Sequence, residues 1–143
     1  MPEFILNRND TNHLSDFVEG YVEAMFFTNG DIGAEDDENR LNRLGTYRIT
    51  RKAWRDIKDD CEAFRHAVES QHGRAVADLL SYGTDGYDAR RAGNDFWFTR
   101  QGHGVGYRDR DALPESIRDA LSETARGFGE AYVETWRGWI YHA

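Results

Sequence analysis

Asp95-Phe96-Trp97-Phe98-Thr99-Arg100-Gln101-Gly102-His103-Gly104-Val105-Gly106-Tyr107-Arg108 is the stretch on which the fold class turns. Residues 95–100 and 105–108 are short runs enriched in aromatic and β-branched side chains. The four residues between them include two glycines, which is the pattern of a hairpin with a glycine-supported turn. Downstream, Pro114 opens a helix in which Ile117, Leu121, Thr124, Ala125 and Phe128 recur at helical spacing, with Gly127 and Gly129 to stop it. Residues 131–136 and 139–141, joined through Arg137-Gly138, form a second hairpin. The C-terminal half therefore reads ββαββ, and the chain reads α+β, with N-terminal helices packed on a small antiparallel sheet.

Upstream the signal is helical. Residues 12–28 place Leu14, Phe17, Val18, Tyr21, Val22, Met25 and Phe26 on one stripe, with Thr11 or Asn12 as N-cap, Gly20 on the polar side and Asn29-Gly30 as the stop. Residues 30–47 lack periodicity and read as a long acidic loop with one helical turn around 39–44. Thr50 caps a second helix carrying Trp54, Ile57, Cys61, Phe64 and Val68, which Gly73 interrupts before a short helix over 74–82. Asp85-Gly86 and Ala92-Gly93 bracket a polar loop. Residues 1–143 are expected to form one domain, an acidic helix and loop over 1–48 followed by a helical pair and ββαββ over 49–143.

Composition sets bounds on function. The chain of 143 residues has nineteen aromatics and 39% hydrophobic residues, enough for an aromatic core. Its single cysteine, Cys61, cannot make an internal disulfide, and no signal-peptide pattern or apolar run of the roughly 20 residues that span a bilayer occurs, so a cytoplasmic, non-membrane protein is expected. Charge is the most informative feature. Residues 1–38 hold ten acids (Glu3, Asp10, Asp16, Glu19, Glu23, Asp31, Glu35, Asp36, Asp37 and Glu38) against one base, Arg8. Residues 39–143 hold sixteen acids and seventeen bases, so the net charge of −8 sits in the first quarter.

Such a localised acidic surface repels nucleic acid and suits a basic protein. Asp16, Glu19 and Glu23 lie on one polar side of the first helix with no base among them, at a spacing near the ~3.4 Å between phosphates of one DNA strand. With Asp31, Glu35, Asp36, Asp37 and Glu38 they form the candidate partner-binding set. The rival readings are weaker. Gly102-His103-Gly104-Val105-Gly106 lacks the strand-before, helix-after context of a phosphate-binding fingerprint. His103 with Asp95 or Asp109 would serve as a general base if the groups met. Cys61 falls on an apolar stripe, as a small hydrophobe does. Cys61, His66, His72 and His103 lack metal-ligand spacing, and the 31–38 loop lacks an EF-hand's sixth-position glycine and twelfth-position Glu, where Asn42 stands. Arg100, Arg108 and Arg110 with Trp97 and Tyr107 would make a basic aromatic surface on the first hairpin, suited to nucleic acid or to a protein.

The run Gly93-Asn94-Asp95-Phe96-Trp97-Phe98-Thr99-Arg100-Gln101-Gly102-His103-Gly104-Val105-Gly106-Tyr107-Arg108-Asp109-Arg110, with Gly127-Phe128-Gly129-Glu130, Ile140-Tyr141 and Asp60-Cys61-Glu62-Ala63-Phe64, resembles a family of small acidic proteins encoded by bacteriophages and prophages. The similarity covers roughly residues 56–142. Asn94 stands where the family usually shows His, and the acidic N-terminal part lies outside it. The resemblance implies a mobile-element origin and a shared hairpin, and associates the chain with antagonists of host defence of the anti-CRISPR kind. The expectation is thus a non-catalytic, phage-encoded inhibitor, a monomer or weak homodimer, whose acidic surface occupies the nucleic-acid groove of a basic host protein or complex. It would bind no nucleic acid directly and need no cofactor or metal. The alternatives are a small hydrolase or transferase using His103 with a nearby carboxylate, and a non-catalytic phage accessory protein.

Overall fold

A computed structural model describes residues 15–143, apart from the side chain of Asp37. Thr11, Asn12 and Leu14, and the charges of Glu3, Arg8 and Asp10, lie outside the described residues. The eight main elements are α1 (Asp16–Thr28), α2 (Leu41–Leu44), α3 (Arg51–His72), α4 (Arg74–Tyr82), α5 (Ala89–Arg100), α6 (Glu115–Arg126), β1 (Val133–Trp136) and β2 (Trp139–His142), with short 3-10 turns at Asp37–Asn39, Thr46–Arg48 and Tyr107–Asp109. The α+β class stands, as helices with a two-stranded antiparallel sheet at the C-terminus.

The first hairpin does not form. Asp88 caps α5, its side chain accepting from the Arg91 N–H at 2.7 Å, and the helix runs through Phe96, Trp97 and Phe98 to Arg100. The polar loop expected over 85–93 contracts to a turn closed by the Thr84–Tyr87 bridge. Residues 101–106 are a loop, and Tyr107 opens a 3-10 turn instead of a strand.

Two glycines explain why an aromatic run becomes a helix here. A Cβ on Gly93 would collide with the Phe17 carbonyl oxygen of α1, and a Cβ on Gly20 would collide with the Arg90 carbonyl oxygen of α5. The helices thus cross with backbone against backbone at reciprocal glycines, a contact any side chain would hold apart. The Asn94 amide donates to the Gly20 carbonyl at 2.6 Å across the crossing. Gly20 is therefore a buried contact point and not part of a polar face. Ser15, rather than a residue further upstream, supplies the α1 cap, accepting from the Val18 N–H at 3.2 Å.

This crossing sends the aromatic side chains of α5 inward. Phe96 stacks on Phe64 of α3 with ring centroids 4.2 Å apart and planes 5° from parallel, and Phe128 meets both rings edge-on. Trp97 packs edge-on against Tyr21, and its indole N–H donates to the Thr28 hydroxyl at 2.7 Å, so a fully buried polar atom is satisfied. Thr50 caps α3 and Gly73 separates α3 from α4, as the spacing predicts. The β1–β2 hairpin pairs Val133 with His142 and Trp136 with Trp139, and the Thr50 N–H donating to Ile140 O at 3.1 Å ties it to the start of α3. No helix among the described residues is long and apolar enough to cross a membrane.

Candidate partner-binding surface

The acidic residues divide into two groups. On α1, Glu19 and Glu23 are half-buried and share one cation: Arg90 of α5 donates to Glu19 Oε2 and to Glu23 Oε2, each at 2.9 Å. The expectation that no base offsets these carboxylates is corrected, because the glycine crossing brings Arg90 over them. Bonding to Glu23 is the main influence holding the Arg90 guanidinium above its ordinary pKa, with Glu19 adding to it. Asp16 remains exposed at the helix N-terminus, where a negative charge suits the helix dipole.

The second group is the 31–38 loop, which is ordered by its own backbone. Successive bonds from Ile32 N–H to Asn29 O, Ala34 to Asp31, Asp36 to Gly33 and Asn39 to Asp36 form consecutive turns, and the Leu41 N–H donates back to Ile32 O at 2.9 Å. Asp36 accepts from the Glu38 N–H and the Asn39 side-chain amide. Arg40 reaches from behind to the Ala34 carbonyl, with its guanidinium 4.0 Å from Asp31. Held in this way, Asp31, Glu35, Asp36 and Glu38 are exposed, Asp31 with 93% of its side chain open to solvent.

The loop is fixed to the tip of the hairpin. Asn39 Oδ1 accepts from the Gly138 N–H at 2.6 Å, and Gly33 lies so close to Thr135 that a Cβ would not fit. The tip carries large exposed side chains, with Trp136 at 56%, Trp139 at 41% and neighbouring Tyr47 at 57%. The Arg137 guanidinium sits 4.4 Å from the centre of the Trp136 ring, and Arg48 lies between Trp139 and Tyr47 at 5.2 and 5.4 Å. Arg137 (φ 51°) and Gly138 (φ 80°) both take left-handed backbone, as a two-residue hairpin turn of this hand requires. Arg137 is the one non-glycine residue among the described residues with positive φ, a conformation costing about 1 kcal/mol where Asn or Gly is the usual choice. Trp, Tyr and Arg are the side chains that most often anchor protein interfaces. Sequence reasoning missed this cluster because it weighed the hairpin as a fold element only; Trp136-Arg137-Gly138-Trp139 was the available signal.

The other candidate residues go elsewhere. The basic aromatic surface does not exist: Trp97 and Tyr107 are fully buried and Arg100 is nearly so. Asp95 is fully buried and accepts from Arg110 Nε at 2.8 Å, Arg110 Nη2 at 2.7 Å and the Tyr87 hydroxyl at 2.6 Å, so its partners are Arg110 and Tyr87 and not His103. Asp109 accepts from the Gly106 N–H at 2.9 Å, and His103 lies exposed with its ring edge-on to Phe98. Cys61 is buried and burial pushes its thiol pKa well up, which suits a core residue. No group of three or more His, Cys, Asp or Glu among the described residues is placed to hold a metal ion.

A polar network joins the C-terminal strand to the core. Arg100 donates to Asp60 at 2.8 Å, to Tyr21 Oη at 3.0 Å and to the Gly129 carbonyl at 2.9 Å, and Tyr21 Oη lies 2.8 Å from His142 Nε2. The Tyr21 oxygen thus accepts from Arg100 and also bonds His142 Nε2, the direction of that second bond following the His142 tautomer. Burial, reinforced by the Arg100 charge, pushes the His142 pKa down to about 4. Compared with protein-family models, curated proteins and solved structures, the chain matches none of them.

Proposed function

We propose that this protein works by binding a basic protein partner, with the 31–38 carboxylates as the charged part of the surface and the Trp136, Arg137, Trp139 and Tyr47 cluster as its anchor. The observation that carries this reading is the pinning of an exposed acidic loop, through Asn39 and Gly138, to a tip of exposed aromatic and Arg side chains. Carboxylates supply steering and specificity for a cationic groove, and aromatic anchors supply the short-range energy. A groove that normally holds nucleic acid fits this chemistry, and occupying it would block nucleic-acid binding without any cofactor. Such a role is that of a phage-encoded inhibitor of a host defence complex, acting in the bacterial cytoplasm, a role with which the family resemblance associates the chain.

The pairing of Glu19 and Glu23 with Arg90 refines the reading. Those two carboxylates are already answered within the molecule, so the working charges are Asp16 and the loop. Neutralising Asp31, Glu35, Asp36, Asp37 and Glu38 together is expected to abolish partner binding while leaving thermal stability nearly unchanged, whereas Glu19→Gln with Glu23→Gln leaves binding largely intact. Equal loss in both variants would overturn the assignment of the loop as the working surface.

A further inference from the structure

The loop after α5 shares no residue with the acidic surface. It borders a half-open cleft of about 270 Å³, with the glycine-rich run Gly102–Gly106 on one side and Ser122 and Arg126 of α6 on the other, closed by Arg108 and Asp109. At this volume the cleft takes a group the size of a phosphoryl head, and is small for a whole drug-sized molecule.

Donors outnumber acceptors in its wall. Ser122 is 1% exposed and its hydroxyl has no hydrogen-bond partner, although a helical serine ordinarily returns its proton to a carbonyl in the preceding turn. A buried hydroxyl left unpaired beside a cleft is the group a ligand would satisfy. Arg108 and Arg126 are exposed and pair with no carboxylate among the described residues. The single carboxylate in the wall, Asp109, is exposed and accepts from the Gly106 N–H, so one negative charge there faces two guanidinium groups. The N–H groups of Gly104 and Val105 donate to no acceptor among the described residues, and nothing lies within 4 Å of where a Cβ on Gly102 or Gly104 would be, so the backbone there is open to close approach. Two guanidinium groups, an orphan hydroxyl and open backbone amides outnumber that one carboxylate, in a protein whose net charge is −8.

We propose that this cleft binds a small phosphate-bearing ligand, either inorganic phosphate or the phosphomonoester group of a small metabolite, through Ser122, Arg108, Arg126 and the 104–105 backbone. The net acidity of the chain disfavours a polynucleotide there.

The test titrates the full chain with inorganic phosphate and, separately, with adenosine monophosphate, at ionic strength held constant with chloride, following the backbone amide resonances of Gly104 and Val105. Wild type is expected to show a saturable shift, and the Ser122→Ala, Arg126→Gln double variant to weaken binding about ten-fold or more. Ser122→Ala alone should melt no lower than wild type in the absence of ligand, because the hydroxyl it removes has no partner, which separates loss of binding from loss of fold. Saturation by phosphate alone identifies free phosphate as the ligand, and saturation by the monophosphate at lower concentration identifies a phosphomonoester. The proposal is overturned if neither titration saturates, if the double variant responds as wild type does, or if only a single-stranded oligonucleotide moves these resonances.

Discussion

Acidification should destabilise this protein through one buried histidine. His142 is 3% exposed and is met by Tyr21 from α1, by the charge of Arg100 from α5 and by the weaker opposing charges of Asp60 and Asp56 from α3. Its pKa falls from 6.5 to about 4 in the folded state. Above pH 6.5 the ring is neutral in both states and costs nothing. As pH falls from 6.5 towards 4, the unfolded chain takes up a proton that the folded chain refuses, so stability falls with pH across that window. A depression of this size, at about 1.4 kcal/mol per pH unit, amounts to roughly 3 kcal/mol, a large share of the 5–15 kcal/mol that holds a typical domain together. Urea denaturation of wild type at a series of pH values from 7 to 4, beside His142→Gln, isolates the effect, because the Gln amide keeps a hydrogen-bonding partner for the Tyr21 hydroxyl but takes up no proton. Wild type should lose roughly 3 kcal/mol more than the variant over this range. Parallel profiles, or a His142 ring that titrates near 6.5 by NMR in the folded protein, would refute the reasoning.

Three further outcomes follow from the packing. Gly93→Ala places a methyl group against the Phe17 carbonyl; although Ala favours helix by about 1 kcal/mol, forcing the α1–α5 crossing apart should destabilise by about 2 kcal/mol or more, measured by thermal or urea unfolding. Asp95→Asn leaves the largely buried Arg110 without its carboxylate and should lower stability by about 3 kcal/mol or more, again read from urea unfolding. Arg90→Ala removes a half-exposed cation and should lower stability by no more than about 1 kcal/mol, while releasing Glu19 and Glu23 and raising the salt dependence of partner binding.

Much of the helical frame is legible in the residues themselves. Thr50, Gly73 and Pro114 mark helix ends where the structure has them, and Arg137-Gly138 marks the hairpin turn. The misreading at 95–108 has a physical source. Phe96, Trp97 and Phe98 favour strands in isolation, and Ala92-Gly93 reads as loop punctuation, which hides the stripe Ala89, Ala92, Gly93, Phe96, Trp97 and Arg100 that continues across it at helical spacing. Gly93 is there for a tertiary reason, the crossing with Gly20, and a single chain gives no sign of which helix a glycine will meet. The same crossing placed Arg90 between Glu19 and Glu23, a pairing across 67 and 71 residues of sequence. The acidic loop was legible because its charges are local to it, whereas its attachment to the Trp136–Trp139 tip depends on a hydrogen bond from Gly138 to Asn39.

The central claim, that the protein binds a basic partner through the 31–38 loop and the adjoining hairpin tip, is tested most directly by capture from a bacterial host lysate. Tagged wild type is placed beside the five-site loop variant, the Glu19→Gln, Glu23→Gln variant and the Trp136→Ala, Trp139→Ala variant, with and without competing nucleic acid. Wild type and the Glu19, Glu23 variant should retain the same basic nucleic-acid-binding protein, nucleic acid should displace it, and the loop and tryptophan variants should lose it. Retention of one partner by all four proteins, or a partner that nucleic acid does not displace, would contradict the account.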